Sequence, residues 1–521
     1  MSGGPWWRDG VFYQIYPRSF ATSMHASSTH GGVGDLRGVT ARLDHLVWLG
    51  VDALWLSPFY RSPMRDFGYD VADHCDVDPR FGTLADFDAL VAAAHARGLR
   101  VIVDWVPAHV SSDHPWFREA RTGRASARRD WFVWADPGPG GAPPNNWRST
   151  FTDGPAWTLD EATGQLYLHS FLPEQPDLAW ANPQVRRAMH DVLRFWMARG
   201  VDGFRADVVH NVGKDPALTD VPADVAGLPY FMVNDQAVTH EYLREVRRVL
   251  DEFPGDRMMV GEVFLLDPER MAAYHGHGDE LHLCFNFAAV FAPWSAARWR
   301  ACIDRTAAVL GARDAWPTWV LSNHDLPRHR TRYGSEARAR AAAVLLLTLR
   351  GTPFLYMGEE LGLADAPIPP DRAVDPGGRD GCRAPLPWHG EAGHGWGPPT
   401  WLPFPPDAAT RNVAELKRDA TSILHLYRRL LAARRAAPSL RRGTFEWLPA
   451  PESVLAFRRS HEEDARLVLV NFGDDRVRVE LPSPGVVEIA SDGVGEGAVF
   501  EQFLGASQAV VLRQPTPAAR R

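Results

Sequence analysis

The chain has 521 residues, 45% apolar and 23% charged, which is ordinary for a globular protein and long enough for more than one domain. A net charge of −8 gives no basic footprint and argues against nucleic acid as a partner. No apolar stretch reaches about 18 residues, which argues against a membrane span, and the opening "MSGGPWWRDG" lacks the form of a signal peptide.

In chain order, "VFYQIY" reads as a first strand. A helix–Gly–strand unit then recurs. "ARLDHLVWLG" precedes "VDALWLS", and "DFDALVAAAHARG" precedes "LRVIVDWV". Residues 107–176 are rich in Gly, Pro, Trp and Asn with little helical pattern, so an irregular inserted domain is expected there. "QVRRAMHDVLRFWMARG" carries Val185, Met189, Val192, Leu193 and Trp196 at helical spacing, stops at Gly200 and leads into "VDGFRADVVH". "HEYLREVRRVLDEFPG" then "DRMMVGEVF", "LHLCFNF", "TWVLSNHD", and "ARAAAVLLLTLRG" then "TPFLYMGEE" complete the pattern. The strands centre on Tyr13, Leu54, Val103, Phe204, Val260, Leu283, Val320 and Leu355, and eight such units suggest a closed (β/α)8 barrel. An open doubly wound sheet is the alternative, but no G-x-G-x-x-G follows "VFYQIY".

A Pro/Gly-rich loop excursion occupies 361–406. Beyond "SILHLYRRLLAARRAAPSL" the short strands "SVLAFRRS", "RLVLVNF", "RVRVEL" and "AVVLR" suggest an all-β C-terminal domain. The expected division is barrel 1–106, insert 107–176, barrel again 177–438 and a C-terminal β-sandwich 439–521. The four cysteines, Cys75, Cys284, Cys302 and Cys382, match no zinc spacing. Free thiols and a cytoplasmic location are expected.

Arg205 and Asp207 sit two apart in "VDGFRADVVH", so on a strand they share a face. Facing solvent they are an ordinary surface pair; facing inward they are two buried charges, costly without a purpose. Other strands also end in polar groups: the third in Asp104 with His109 beyond, the fifth in Glu262, the seventh in Asn323, His324 and Asp325. In a barrel these all lie at the face where chemistry sits.

The stretches "DWVPAH", "GFRADVVH", "GEVF" and "SNHD" resemble, in order, those of the α-amylase family of glycoside hydrolases. "QPDLAW", "DFGYDVADH" and "GRDGCRAPLPW" resemble its oligo-1,6-glucosidase and α-glucosidase branch. The resemblance implies a retaining, exo-acting α-glucosidase with Asp207 as nucleophile, Glu262 as general acid/base and Asp325 as the third carboxylate. It implies that Arg205 holds Asp207, that Asp104 orients Arg205, and that Tyr69, His109 and His324 contact the bound glucose. Asp66 with Arg383 is the pair expected to close the pocket, and Arg379 is the competing arginine. Val208, next to Asp207, implies α-1,6 preference.

Two departures stand out: Ala108 where the family often has Asn, and Ala179 where the branch commonly has Asn. The loop "SFATSMHASSTHGGVGDL" keeps only Asp35 of the carboxylates with which relatives bind a cation. His25, Ser27, Ser28, Thr29 and His30 are poor substitutes, so no metal and no cofactor are expected. The expected partner is a small α-glucoside; the oligomeric state is left open. Alternatives with the same residues are a transglucosidase or a trehalose-synthase-like isomerase. A non-catalytic relative of the transporter heavy-chain type would carry a membrane helix and often lose the carboxylates kept here.

Overall fold

The computed structural model describes residues 4–23, 32–397, 399–481 and 483–514. Eight parallel strands form its central sheet: β1 (Phe12–Ile15), β2 (Ala53–Leu56), β3 (Arg100–Trp105), β4 (Gly203–Ala206), β5 (Met258–Gly261), β6 (Leu283–Cys284), β7 (Thr318–Val320) and β8 (Thr352–Tyr356). The ladder runs β6–β5–β4–β3–β2–β1–β8–β7. At the seam between β6 and β7, Thr318 Oγ1 donates to Cys284 O at 2.5 Å. Each strand therefore lies beside its sequence neighbours in the ring expected of a (β/α)8 barrel.

The two-residue period of a strand splits each one between two environments. Phe12, Trp55, Ile102, Val260 and Phe354 fill the barrel, while Tyr13, Leu54, Val103, Phe204 and Met259 join the larger core that includes the helices. Asp104 is two residues beyond Ile102 and lies in register with Arg205. Both therefore belong to the polar layer above the apolar filling. The helix before β4, Pro183–Ala198, is capped by Asn182 and buries Val185, Met189, Val192, Leu193 and Trp196 as their spacing requires. Gly200, at φ +97°, makes the left-handed turn into the strand.

Between β3 and β4 the chain builds a three-stranded antiparallel sheet from Trp134–Ala135, Gln165–Leu168 and Trp157–Asp160. Trp147, Trp157 and Leu168 pack beneath it. The Gly- and Pro-rich composition concealed these short strands.

After β8 the chain forms β9 (Thr444–Trp447), β10 (Val454–His461), β11 (Asp464–Asn471), β12 (Val486–Ala490) and β13 (Ala509–Arg513). They pair antiparallel in the order β9–β10–β11–β13–β12. Val454, Leu467, Leu469 and Leu512 face a small core that includes Leu504, from the ribbon Val477–Arg478/Phe503–Leu504. Leu455, Phe457, Val468 and Val511 face the main core. No helix among the described residues is long and apolar enough to cross a membrane.

Candidate active site

The polar layer is organised around Arg205, which is 2% exposed. Its Nη1 donates to Asp104 Oδ1 at 2.5 Å and to Asp207 Oδ1 at 2.6 Å, and its Nη2 to Glu262 Oε2 at 2.5 Å. Arg205 and Asp207 thus share the inward face. One guanidinium serves three carboxylates from β3 and from the ends of β4 and β5, which makes their burial tolerable. Burial alone would lower Arg205, but Asp104, Glu262, Tyr69 and Asp207 outweigh it and keep it charged.

One cation does not neutralise three buried carboxylates. Burial pushes Glu262 up to about 8, with Arg205 opposing and Asp207 and Asp325 reinforcing the shift. Burial also raises Asp207, to about 7, and Asp104, to about 6, each against the pull of Arg205. The proton that this cluster retains at neutral pH therefore belongs on Glu262.

Backbone bonds continue the barrel ladder beyond the strands and fix these groups. Asp207 N donates to Trp105 O, and Glu262 N to Ala206 O, both at 2.8 Å. Val208 follows in the left-handed region at φ 33°, which is strained for a β-branched residue. That turn aims its amide at Glu262 Oε2, 3.1 Å away.

The pocket above has a volume of about 220 Å³. Asp207, Glu262 and Asp325 line it, with Asp66, Tyr69 and His109. Tyr69 stacks on His324, and its hydroxyl is 2.6 Å from His324 Nε2. The other imidazole nitrogen, Nδ1, accepts from Gln14 Nε2 at 2.7 Å, so Nε2 carries the hydrogen. Burial pushes His324 down to about 3, leaving it neutral at pH 7. His109 contacts Tyr69 O at 3.1 Å and is likewise shifted down by burial. Asp104 is fully buried and also accepts from Trp55 Nε1 at 2.8 Å, so it touches Arg205 and not the pocket.

The expected pairing of Asp66 with Arg383 does not form. Arg379 Nη2 donates to Asp66 Oδ1 at 2.6 Å, and Arg379 lines the pocket. Arg383 is fully buried behind it and donates to His324 O at 2.7 Å and to Asp375 and Asp325 at 3.1 Å. Arg379 precedes the turn Asp380–Arg383 and Arg383 ends it; both donate to Asp325 and Asp375, and Arg379 is the one that reaches Asp66. Burial would raise the Asp325 carboxyl, but His324, Arg379, Arg383 and Arg205 hold it well below the usual range. Arg379 and Arg383 each donate to that carboxylate, at 3.0 and 3.1 Å.

The sequence did not single out Gln175, whose Nε2 donates to Asp66 Oδ2 at 2.9 Å, although it opens the quoted "QPDLAW". Nor did it single out the aromatic wall of Phe151, Phe171, Phe231, Phe264 and Phe287. Phe264 lies within "GEVF"; the others follow no local pattern.

Among the described residues no group of three or more His, Cys, Asp or Glu could hold a metal ion. His25, Ser27, Ser28, Thr29 and His30 lie outside the described residues. Asp35 instead caps the helix Leu36–Ala41, accepting from Gly38 N at 2.6 Å and from Ser23 at 2.9 Å. Ala108 and Ala179 take part in the insert through backbone bonds, with Leu178 N to Ala108 O at 2.9 Å and Ala179 N to Trp131 O at 2.8 Å. The four cysteines are free.

Residues 14–443 match the model of the alpha-amylase catalytic domain. The chain is 44% identical over 517 residues to a probable alpha-glucosidase of Rhizobium meliloti (strain 1021), covering 92% of this chain and 91% of that one. It is 34% identical to an oligo-1,6-glucosidase of Parageobacillus thermoglucosidasius, covering 92% of each. The solved structure of the alpha-glucosyl transfer enzyme XgtA superposes with a TM-score of 0.90 at 39% identity, covering 98% of this chain and 100% of that one.

Proposed function

The chain belongs to the α-amylase family of glycoside hydrolases, and from that premise we propose that it is a retaining, exo-acting α-glucosidase acting on short α-glucosides. The observation that carries this reading is the bridge Asp207–Arg205–Glu262: two carboxyls held on one guanidinium at the floor of a pocket. In retaining glycosidases the two carboxyls stand about 5 Å apart, with no room for a water between carboxylate and sugar, and two carboxyls sharing one guanidinium fit that arrangement, with one as nucleophile.

Asp207 attacks the anomeric carbon while Glu262, protonated because burial raises its pKa to about 8, gives its proton to the departing oxygen. A covalent glucosyl-Asp207 ester results. Glu262 is then ionised and removes a proton from water, whose oxygen displaces Asp207. Asp325, held ionised, and Tyr69 and His109 bind the hydroxyls of the same glucose, and His324, buried behind Tyr69, places the Tyr69 hydroxyl. Asp66 with Arg379 meets the non-reducing end and stops a longer chain from passing. A cytoplasmic location fits the free cysteines.

A second reading keeps every residue and replaces water by another alcohol. The likeness to XgtA and the apolar wall of the pocket favour it. Incubation with maltose, isomaltose, sucrose and trehalose, with products resolved by chromatography, tests both. Monosaccharides alone (glucose, with fructose from sucrose) mean hydrolysis, and new glucosides mean transfer. No reaction with any of the four would overturn the glucosidase reading.

A further inference from the structure

We propose that Gln14 is a positioning residue of the reaction: it holds His324 as the tautomer with hydrogen on Nε2, and that hydrogen turns the Tyr69 hydroxyl into a donor to the bound glucose. The inference rests on the α-glucosidase reading of the same pocket. Gln14 stands on β1 two residues beyond Phe12, as Asp104 stands two beyond Ile102. It therefore belongs to the polar layer above the apolar filling, and it is 1% exposed. Its backbone is fixed in the barrel ladder, in register with Trp55 and Tyr356.

A chain of contacts leads from Gln14 to the pocket. Gln14 Nε2 lies 3.0 Å from Ser57 Oγ and 2.7 Å from His324 Nδ1. His324 Nε2 lies 2.6 Å from the Tyr69 oxygen. Of these residues only Tyr69 lines the pocket. The far end fixes where the hydrogens sit. His324 Nε2 is also 3.2 Å from Asp325 Oδ2, and an ionised carboxylate can only accept. A lone pair on Nε2 would oppose that charge, so Nε2 carries the hydrogen. Burial keeps the imidazole neutral, with Asp325 opposing and Arg383, Arg205 and Arg379 reinforcing. Nδ1 is then an acceptor and needs a donor, which an amide supplies without taking up a proton. Turned over, the amide would set its oxygen against that lone pair.

Tyr69 has a hydrogen to give, because burial and Asp104 raise its hydroxyl well above the usual phenol range. Its oxygen accepts from His324 Nε2 and, at 3.4 Å, from Arg205 Nη1. No other hydrogen bond of the Tyr69 hydroxyl is made among the described residues. Its hydrogen is left for the pocket, where the glucose hydroxyls bind. No proton changes place in this arrangement; Gln14 sets only the direction in which each hydrogen points.

The test uses the full chain and three variants: Gln14→Met, which keeps the length without a donor, Tyr69→Phe, and the two combined. Gln14→Met should lower kcat/KM for maltose about tenfold, the scale of one hydrogen bond. In the Tyr69→Phe background the same substitution should cost less than about twofold, because the hydroxyl through which Gln14 acts is gone. Additive losses would mean a merely structural role and would overturn the inference while leaving the glucosidase reading intact. So would an unchanged kcat/KM in Gln14→Met. A second measurement needs neither turnover nor a Gln14 variant. The 15N spectrum of the wild-type enzyme at pH 7, with the His324 signals assigned by their loss in His324→Gln, should show a pyrrole-type Nε2 and a pyridine-type Nδ1. The reverse pattern, or a charged ring, would overturn the inference even if the variants failed to fold. Absence of glucose release from maltose by the wild-type enzyme would overturn the glucosidase reading and the role of Gln14 with it.

Discussion

Arg379 Nη2 lies 2.6 Å from Asp66 Oδ1 and ties the loop after β8 to the loop after β2 across the pocket. The same guanidinium reaches Asp325 at 3.0 Å and Asp375 at 2.7 Å, so the wall of the pocket is itself a braced salt-bridge network. Truncating one partner of such a network leaves buried carboxylates unpaired. Arg379→Ala should reduce kcat/KM for maltose at least about 100-fold. Arg383→Ala, which removes a fully buried anchor for His324 O and Asp375, should lower Tm by several degrees in addition. A melting curve beside the kinetics separates the two. With the wall in place, starch viscosity should fall slowly relative to glucose release; a rapid fall would mean internal cleavage.

Asp207→Asn and Glu262→Gln should each cost roughly three or more orders of magnitude in kcat on maltose, because each removes a partner in bond cleavage. With glucosyl fluoride as donor, Glu262→Gln should lose far less, since fluoride departs with little help from an acid. Asp207→Asn should stay inactive on both donors. Steady-state rates on the two donors decide the assignment.

The pH profile follows from the shifted carboxyls. Asp207, near 7, must be ionised to attack, so activity falls as pH drops below about 7. Glu262, near 8, must be protonated to donate, so activity falls as pH rises above about 8. kcat/KM should therefore be bell-shaped with a narrow optimum between these values, which belong to the coupled pair as a whole.

A raised carboxyl pKa also has a stability consequence. The protonated Glu262 is favoured in the folded state over the unfolded one, where its ordinary value is 4.5. Its contribution to stability is present below about 4.5 and is lost as pH rises to about 8. Glu262→Gln escapes that loss. The Tm difference between variant and wild type should grow from pH 5 to pH 8 and then level off. A difference constant across that range would contradict the shift.

Val208, with its methyl groups at the pocket and its amide on Glu262, is placed to shape the acceptor side. Isomaltose should be hydrolysed at least as well as maltose, and Val208→Thr should move the ratio toward maltose. Strong maltose activity with none on isomaltose would reject this.

A two-carboxyl retaining mechanism needs no metal, and residues 19–34 contain no carboxylate. EDTA should leave activity and Tm unchanged. A Tm loss of several degrees on chelation, reversed by calcium, would point to oxygens outside those identified.

The sequence by itself determined the barrel and the chemistry at its mouth. Helical spacing before each Gly, eight apolar runs and acids at the ends of the third, fourth, fifth and seventh strands are local signals. The two-residue period of a strand carries Arg205 and Asp207 to one face wherever the strand sits. Only the tertiary structure decided which arginine faces Asp66 and what the far side of the pocket is made of. Arg379 and Arg383 are four residues apart in one loop, and both have carboxylate partners. Which of them reaches Asp66 follows from how the turn Asp380–Arg383 packs against the ends of β7 and β8, not from spacing. Phe151 and Phe171 come from the segment between β3 and β4, and Phe231, Phe264 and Phe287 from the segments after β4, β5 and β6. Their wall exists because barrel closure brings the ends of distant strands together, a long-range consequence that no local pattern records.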